Sequence, residues 1–140
     1  MYLVRLIYAS CKPRDIVDES INDILVSARK HNTANSITGL LCFNRKYFLQ
    51  CLEGSRKKVN ETYQRILQDD RHEKIIMLDY CEIVKREFTD WSMGYIPDSS
   101  LTHDINLKFS GSSEFDPFEM SGESAHQMML ELKEQVPVVD

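Results

Sequence analysis

With 140 residues, 42% of them hydrophobic and 28% charged, the chain has the composition of one soluble domain with a single core. Its 22 acidic residues against 17 basic ones leave a net charge of −5, which argues against nucleic acid as a partner. No apolar run reaches the roughly 18 residues of a membrane span, and "MYLVRLIYAS" lacks the basic stretch and small-residue cleavage site of a signal peptide, so the expected location is the cytoplasm, with no membrane partner. Cys11, Cys42, Cys51 and Cys81 contain no C-x-x-C pair, and Cys42 and Cys51 lie in apolar runs as small core residues. The four histidines are not clustered with them, so no metal site is expected.

Residues 2–9, "YLVRLIYA", read as a strand rich in branched and aromatic side chains. Asp15 then offers a helix cap, and Val17, Ile21, Ile24, Leu25 and Ala28 recur at helical spacing, with Arg29 and Lys30 mostly off that stripe. "SITGLLCF" (36–43) and "KYFLQCLE" (46–53) read as a hairpin around a two-residue Asn44-Arg45 turn, with Asn44 at positive φ. Gly54 and Ser55 open a second helix with an apolar stripe of Val59, Tyr63, Ile66 and Leu67. "IIMLDYCEI" (75–83) and "FTDWSMGYI" (88–96) read as fourth and fifth strands.

The order β-α-β-β-α-β-β predicts an α+β, ferredoxin-like sheet with both helices on one face. The remainder supplies a cover for the other face. "PDSSLTHDINLKFSG" reads as a helix with Leu101 and Ile105 on one side, and "SSEFDPFE" as a linker. Ser121 caps a last helix whose Ala125, Met128, Met129, Leu132 and Val136 form one stripe. We therefore expect residues 1–97 to form the main unit and 98–140 a two-helix extension.

Several residues do not fit a plain core. Period-two alternation puts Phe48, Gln50 and Leu52 on one face of their strand, and Val4, Leu6 and Tyr8 on one face of theirs. Gln50 is a primary amide among apolar neighbours. His31 and Asn32 sit on or beside the first helix's stripe, Arg65 and Asp69 are spaced as an i, i+4 pair, and Trp91, Met93 and Tyr95 alternate onto one face. Each has an ordinary explanation alone: a satisfied amide, a buried phenol, an Asn helix cap, a solvated ion pair. Together they suit a pocket between two helices for a flat ligand with polar edges, which periodicity cannot name.

"RLIYAS", "ITGLL", "FLQCLEG", "DDRH" and "DWSMG" resemble, in order and spacing, the BLUF family of blue-light sensors that use flavin. The resemblance covers roughly residues 1–97, and the remainder is similar to the two-helix extension of short, stand-alone members. It implies FAD held without a covalent bond between the two helices, with FMN or riboflavin as alternatives. Tyr8 matches the photoactive tyrosine, Gln50 the switching glutamine, and Asn32 the asparagine on the flavin's carbonyl edge. Ile24, His31, Phe48 and Ile66 match residues lining the ring. Asp69, Arg71 and His72 resemble positions at the ring edge or phosphate tail, and Arg65 falls near the ribityl or phosphate groups. Trp91 and Met93 match the pair placed near the glutamine. Some members carry a serine where Ala28 stands here, next to Ser27.

The resemblance implies that light draws an electron and then the phenolic proton from Tyr8, with Gln50 relaying the proton. The Gln50 amide is left rotated or tautomerised and donates to the flavin C4 carbonyl, which shifts absorption to the red until dark recovery. The output is expected to run through the fifth strand, by a shift of that strand or an exchange of Trp91 and Met93. It would reach a separate regulatory protein or a homo-oligomer. The expected protein is a sensor, not an enzyme. The rivals are an acylphosphatase-type ferredoxin-like enzyme, whose glycine-rich phosphate loop is missing here, and a plain interaction module.

Overall fold

The computed structural model describes residues 2–13 and 18–139. Asp15 and Val17 lie outside them, as does the side chain of Leu101. In chain order the elements are β1 (Leu3–Cys11), α1 (Asp18–Ala34), β2 (Thr38–Phe43), β3 (Tyr47–Ser55), α2 (Arg56–Leu67), β4 (Glu73–Ile83), β5 (Gly94–Pro97), α3 (Ser100–Ser110), a 3-10 turn (Pro117–Glu119) and α4 (Gly122–Gln135). The strands form one sheet in the order β4-β1-β3-β2-β5. β2 and β5 run parallel, and the other pairs are antiparallel. The expected α+β, ferredoxin-like arrangement is therefore the observed one.

Alternation along the strands divides the apolar residues into two cores, one on each face. Val4, Leu6, Tyr8, Phe48 and Leu52 meet Ile21, Ile24 and Leu25 of α1 and Val59 and Tyr63 of α2. Ile7, Leu49, Cys51, Leu40 and Cys42 meet Ile105 of α3 and Ala125, Met128, Met129 and Leu132 of α4. Burial in that second core pushes the Cys42 thiol up to about 12, so it behaves as a small hydrophobe.

Local chemistry sets the helix ends. The Ser55 hydroxyl accepts from Lys58 N (3.3 Å) at the start of α2, and Ser121 accepts from Ser124 N (3.0 Å) at the start of α4. Gly111 ends α3 with φ +74°. Gly39 in β2 is needed for space. A Cβ there would stand 2.0 Å from the Cys51 carbonyl oxygen of the neighbouring strand. Gly39→Ala should therefore force β2 off β3 and lower stability by about 3 kcal/mol, read as a fall in urea midpoint with an unchanged m-value.

Some expectations fail, each for a local reason. The β2–β3 connection has three residues, 44–46. Asn44 is not at positive φ; its side-chain oxygen accepts from Lys46 N (2.9 Å) and Tyr47 N (2.8 Å), and its backbone N donates to Tyr47 O (3.1 Å), which together close the turn. Leu67, placed in the α2 stripe, is 42% exposed because the helix ends there. "SSEFDPFE" is more than a linker, since Phe115 and Pro117 are buried under the sheet. The fifth strand covers only Gly94–Pro97. Residues 88–93 form a turn, so Trp91, Met93 and Tyr95 do not share a face. Trp91 packs with the tail core, whereas Met93 and Tyr95 belong to the helix-side core.

Candidate functional site

Gln50 sits at mid-sheet, with Tyr8 of β1 opposite it on one side and Leu41 of β2 on the other. Tyr8 is fully buried and Gln50 is 6% exposed. The Tyr8 hydroxyl donates to Gln50 Oε1. The other end of the amide, Nε2, donates to the Met93 thioether sulfur at 3.3 Å. The polar residue in the strand thus has both ends engaged, and the three side chains form one line through the helix-side core. Burial pushes the Tyr8 phenol far above its usual value, with Asp69 adding to the effect, so it stays protonated in the resting protein.

A cavity of about 250 Å³ opens in front of Gln50, between α1 and α2. Ile24, Ala28, Leu52 and Ile66 give it aliphatic walls, and Ser27 lies on its rim. Asn32 and His31 line it from the end of α1, Thr62 and Arg65 from α2, and Asp69, Arg71 and His72 from the loop that follows. Tyr8 and Phe48, expected to touch a ligand, do not line it. Tyr8 stands behind Gln50, and Phe48 lies under His72 with ring centres 4.9 Å apart. Trp91 is on the sheet's other face.

Asn32 is not the helix cap. α1 runs on to Ala34, the left-handed residue is Ser36 (φ 55°), and the Asn32 amide nitrogen donates to Ser92 O at 2.7 Å. Asn32 therefore ties α1 to the turn that carries Met93. The Arg65–Asp69 pair is not made either. Asp69 lies beyond the end of α2, where helical i, i+4 spacing no longer applies, and Arg71 clasps it with Nη2–Oδ2 at 2.7 Å and Nε–Oδ1 at 2.9 Å. Burial opposes ionisation of Asp69, but the hydrogen bonds from Arg71 prevail and hold its carboxyl below the ordinary value.

Arg65 instead donates to His31 Nδ1. The partners fix the tautomer of His31. The Thr62 hydroxyl donates to Lys58 O (2.7 Å), so it must accept from the His31 Nε2–H (2.8 Å), leaving Nδ1 as the acceptor for Arg65. Burial first, and then the Arg65 charge, lower the His31 pKa, consistent with a neutral ring. Thr62 went unread in the sequence although it falls three residues after Val59 and four before Ile66, on the same stripe.

His72 is held at Nδ1 by the Ser10 hydroxyl at 2.9 Å, edge-on to Tyr8. Burial lowers its pKa from 6.5 to about 4. Below pH 6.5 the unfolded chain takes up this proton before the folded one does. Stability from this group is therefore complete above pH 6.5 and drains away as pH falls towards 4, by up to about 3 kcal/mol. Urea midpoints measured across that window should fall less steeply in His72→Phe than in the wild type.

The comparisons join this geometry to a family. A model described as sensors of blue light using FAD matches residues 3–94. The chain belongs to the BLUF family. The blue light- and temperature-regulated antirepressor BluF of Escherichia coli (strain K12) is 37% identical over 76 residues, which are 54% of this chain and 19% of that protein. The curated relatives are much longer, and this BLUF chain spans about a fifth of their length or less. Among solved structures, the BlsA ground state has a TM-score of 0.85 at 32% identity, covering 93% of this chain and 87% of that one. The photo-activated state of BlsA also has a TM-score of 0.85 at 32% identity, covering 93% of this chain and 94% of that one. The BlrB dark state scores 0.76 at 30% identity, covering 93% and 96%.

A flavin suits the donor set of the BLUF cavity. Aliphatic walls face one another across a slot, while two amides, two arginines, two histidines and Asp69 gather at its edges. The volume approaches the lower end of small-molecule sites, roughly 300–1,000 Å³. The family match also sets aside the acylphosphatase reading.

Proposed function

We propose that this chain is a blue-light sensor whose working part is the Tyr8–Gln50–Met93 line, with FAD as chromophore. The observation that carries the reading is Gln50, with Tyr8 at one end of its amide and Met93 at the other. A bound flavin would supply absorption of blue light and an electron acceptor within reach of the sheet. Ile24 and Ile66 would flank it, with Leu52 beneath. Asn32 and His31 would meet its polar edge, and Arg65, Asp69, Arg71 and His72 stand where the rest of the cofactor would leave the slot.

The part of the chain's own residues follows from their chemistry. Tyr8 holds its proton at rest and has one acceptor for it, Gln50 Oε1. Loss of an electron to a bound flavin would leave the Tyr8 phenol a strong acid, so its proton would pass to the amide, and return of the electron and a proton would restore the phenol while the amide stays changed. Reversing that amide turns Oε1 towards the Met93 sulfur, which has no hydrogen to donate, and turns Nε2 towards Tyr8. The reversed amide therefore loses its Met93 contact, and Met93 is the first residue to feel the change. Trp91 lies across the sheet and would have to pass β5 to replace it, so the Met93 contact is the better candidate for the outgoing step.

Residues 98–140 act in this reading as the sensor's extension and signal to a separate regulatory protein, supported by the relative named as an antirepressor. The test is direct. Purified protein reconstituted with FAD should be yellow and show a reversible red shift under blue light, reverting in the dark. A colourless protein, or a yellow one with no shift, overturns the reading.

A further inference from the structure

Alternation along β5 points the backbone groups of Gly94 and Ile96 towards β2, and Asp98 N continues the series by donating to Phe43 O at 2.9 Å. Those of Met93, Tyr95 and Pro97 then face outwards, on an edge of the sheet. An open edge is a template for another strand. Here each outward group has a different end. Pro97 has no N–H to offer. Tyr95 exchanges two hydrogen bonds with Val139, N to O at 2.9 Å and O to N at 3.0 Å. Met93 O is met by the guanidinium of Arg29, whose Nε lies at 3.0 Å, and Nη2 of the same side chain reaches Val139 O at 3.2 Å.

The chain's own Val139 is thus seated on β5 by a single antiparallel bridge, with Val138 beside it as part of a short strap. Val138 has a fitted place. A Cβ on Gly94 would stand 2.6 Å from Val138 Cγ1 and 3.0 Å from the Trp91 ring, so the missing side chain at Gly94 makes the seat and Trp91 walls it. Arg29 links the two halves of the arrangement. It holds the backbone of the residue that contacts Gln50 and the backbone of the strap.

We propose that the outer edge of β5 is a docking edge for an extended segment of a partner protein that carries small β-branched residues, and that Val138 and Val139 occupy it until Met93 moves. The proposal rests on the reading that light alters the Gln50–Met93 contact. When Met93 shifts, its carbonyl leaves Arg29, the guanidinium keeps only its place over the Tyr95 ring (5.7 Å) and loses the backbone anchor that aims it at Val139 O, and the strap is left with the Tyr95 hydrogen bonds and the Val138 seat. The partner segment pairs with Tyr95 in the same antiparallel sense and places a small β-branched residue against Gly94 and Trp91. Main-chain pairing supplies the attachment, and the Gly94 seat supplies the preference.

The test uses the full FAD-loaded chain and a probe peptide, Glu-Gln-Val-Pro-Val-Val-Asp, the sequence of residues 134–140, at millimolar concentration. In Val139→Pro, which removes the N–H given to Tyr95, the peptide should titrate the Tyr95 amide signal in the dark while the red shift stays normal. In the wild type it should do so only under blue light, with Tyr95 amide exchange about tenfold faster than in the dark. A Tyr95 amide in Val139→Pro that ignores the peptide overturns the docking edge. Equal Tyr95 exchange in dark and light, beside a normal red shift, overturns the gating. Absence of the red shift in the wild type counts against the photoreceptor reading instead, and the dark arm with Val139→Pro still decides the edge.

Discussion

Gln50→Leu is expected to keep its flavin and its yellow colour yet give no reversible red shift under blue light. Gln50 is one of many residues lining the cavity, and the aliphatic walls of Ile24, Ala28, Leu52 and Ile66 stay in place, so the ligand is retained. Leucine fills similar volume but offers the Tyr8 hydroxyl no acceptor and the Met93 sulfur no donor, so the line is cut at both ends. The substitution also leaves a fully buried phenol without its partner, which costs about 1–3 kcal/mol of stability. Tyr8→Phe should match it photochemically, since the ring remains and the proton does not. Absorption difference spectra of the two variants check this, and a normal red shift in either removes the corresponding residue from the mechanism.

Glu53→Ala should be the most damaging change outside the cavity, lowering stability by about 3–5 kcal/mol from two charge-assisted bonds. The Glu53 side chain is buried at the end of β3. It accepts from Glu87 N at 2.7 Å and Phe88 N at 2.9 Å, with the Thr38 hydroxyl at 3.2 Å. Arg86 closes the same corner by donating to Glu53 O and Ser36 O. These contacts pin the turn that leads to Trp91 and Met93. Alanine leaves three donors without their acceptor and frees that turn, so the stability loss in urea should come with an altered dark spectrum in the FAD-loaded protein. A dark spectrum identical to the wild type would show that the turn keeps Met93 in place without Glu53.

How much of this was legible in the sequence depends on distance along the chain. The facing of Tyr8 and Gln50 follows from period-two alternation and the strand pairing, and Ile24, His31 and Asn32 follow from one helix's 3.6-residue spacing. The fifth strand misled for the converse reason. Trp91, Met93 and Tyr95 alternate in sequence, but the turn before Gly94 is imposed by Glu53, more than 30 positions earlier. Arg65 was assigned to Asp69 by helical spacing, whereas the fold ends the helix first and gives Arg65 to His31. Arg29 read as a solvent-facing residue because its partners, the carbonyls of Met93 and Val139, are brought to it only by the assembled sheet. Local periodicity finds faces; long-range backbone contacts are invisible to it.

The division of the apolar residues between two faces has a mechanical consequence. At Gln50 the sheet is a partition one residue thick. The helix-side chamber and the tail-side chamber share the same peptide bonds, since Leu49 and Cys51, the immediate neighbours of Gln50, are packed under α3, α4 and the 3-10 turn. A message arising at Gln50 therefore has no distance to cover along the sheet before it meets the far chamber. Any twist of β3 that accommodates a turned amide is, at the same moment, a displacement of the floor on which the tail rests.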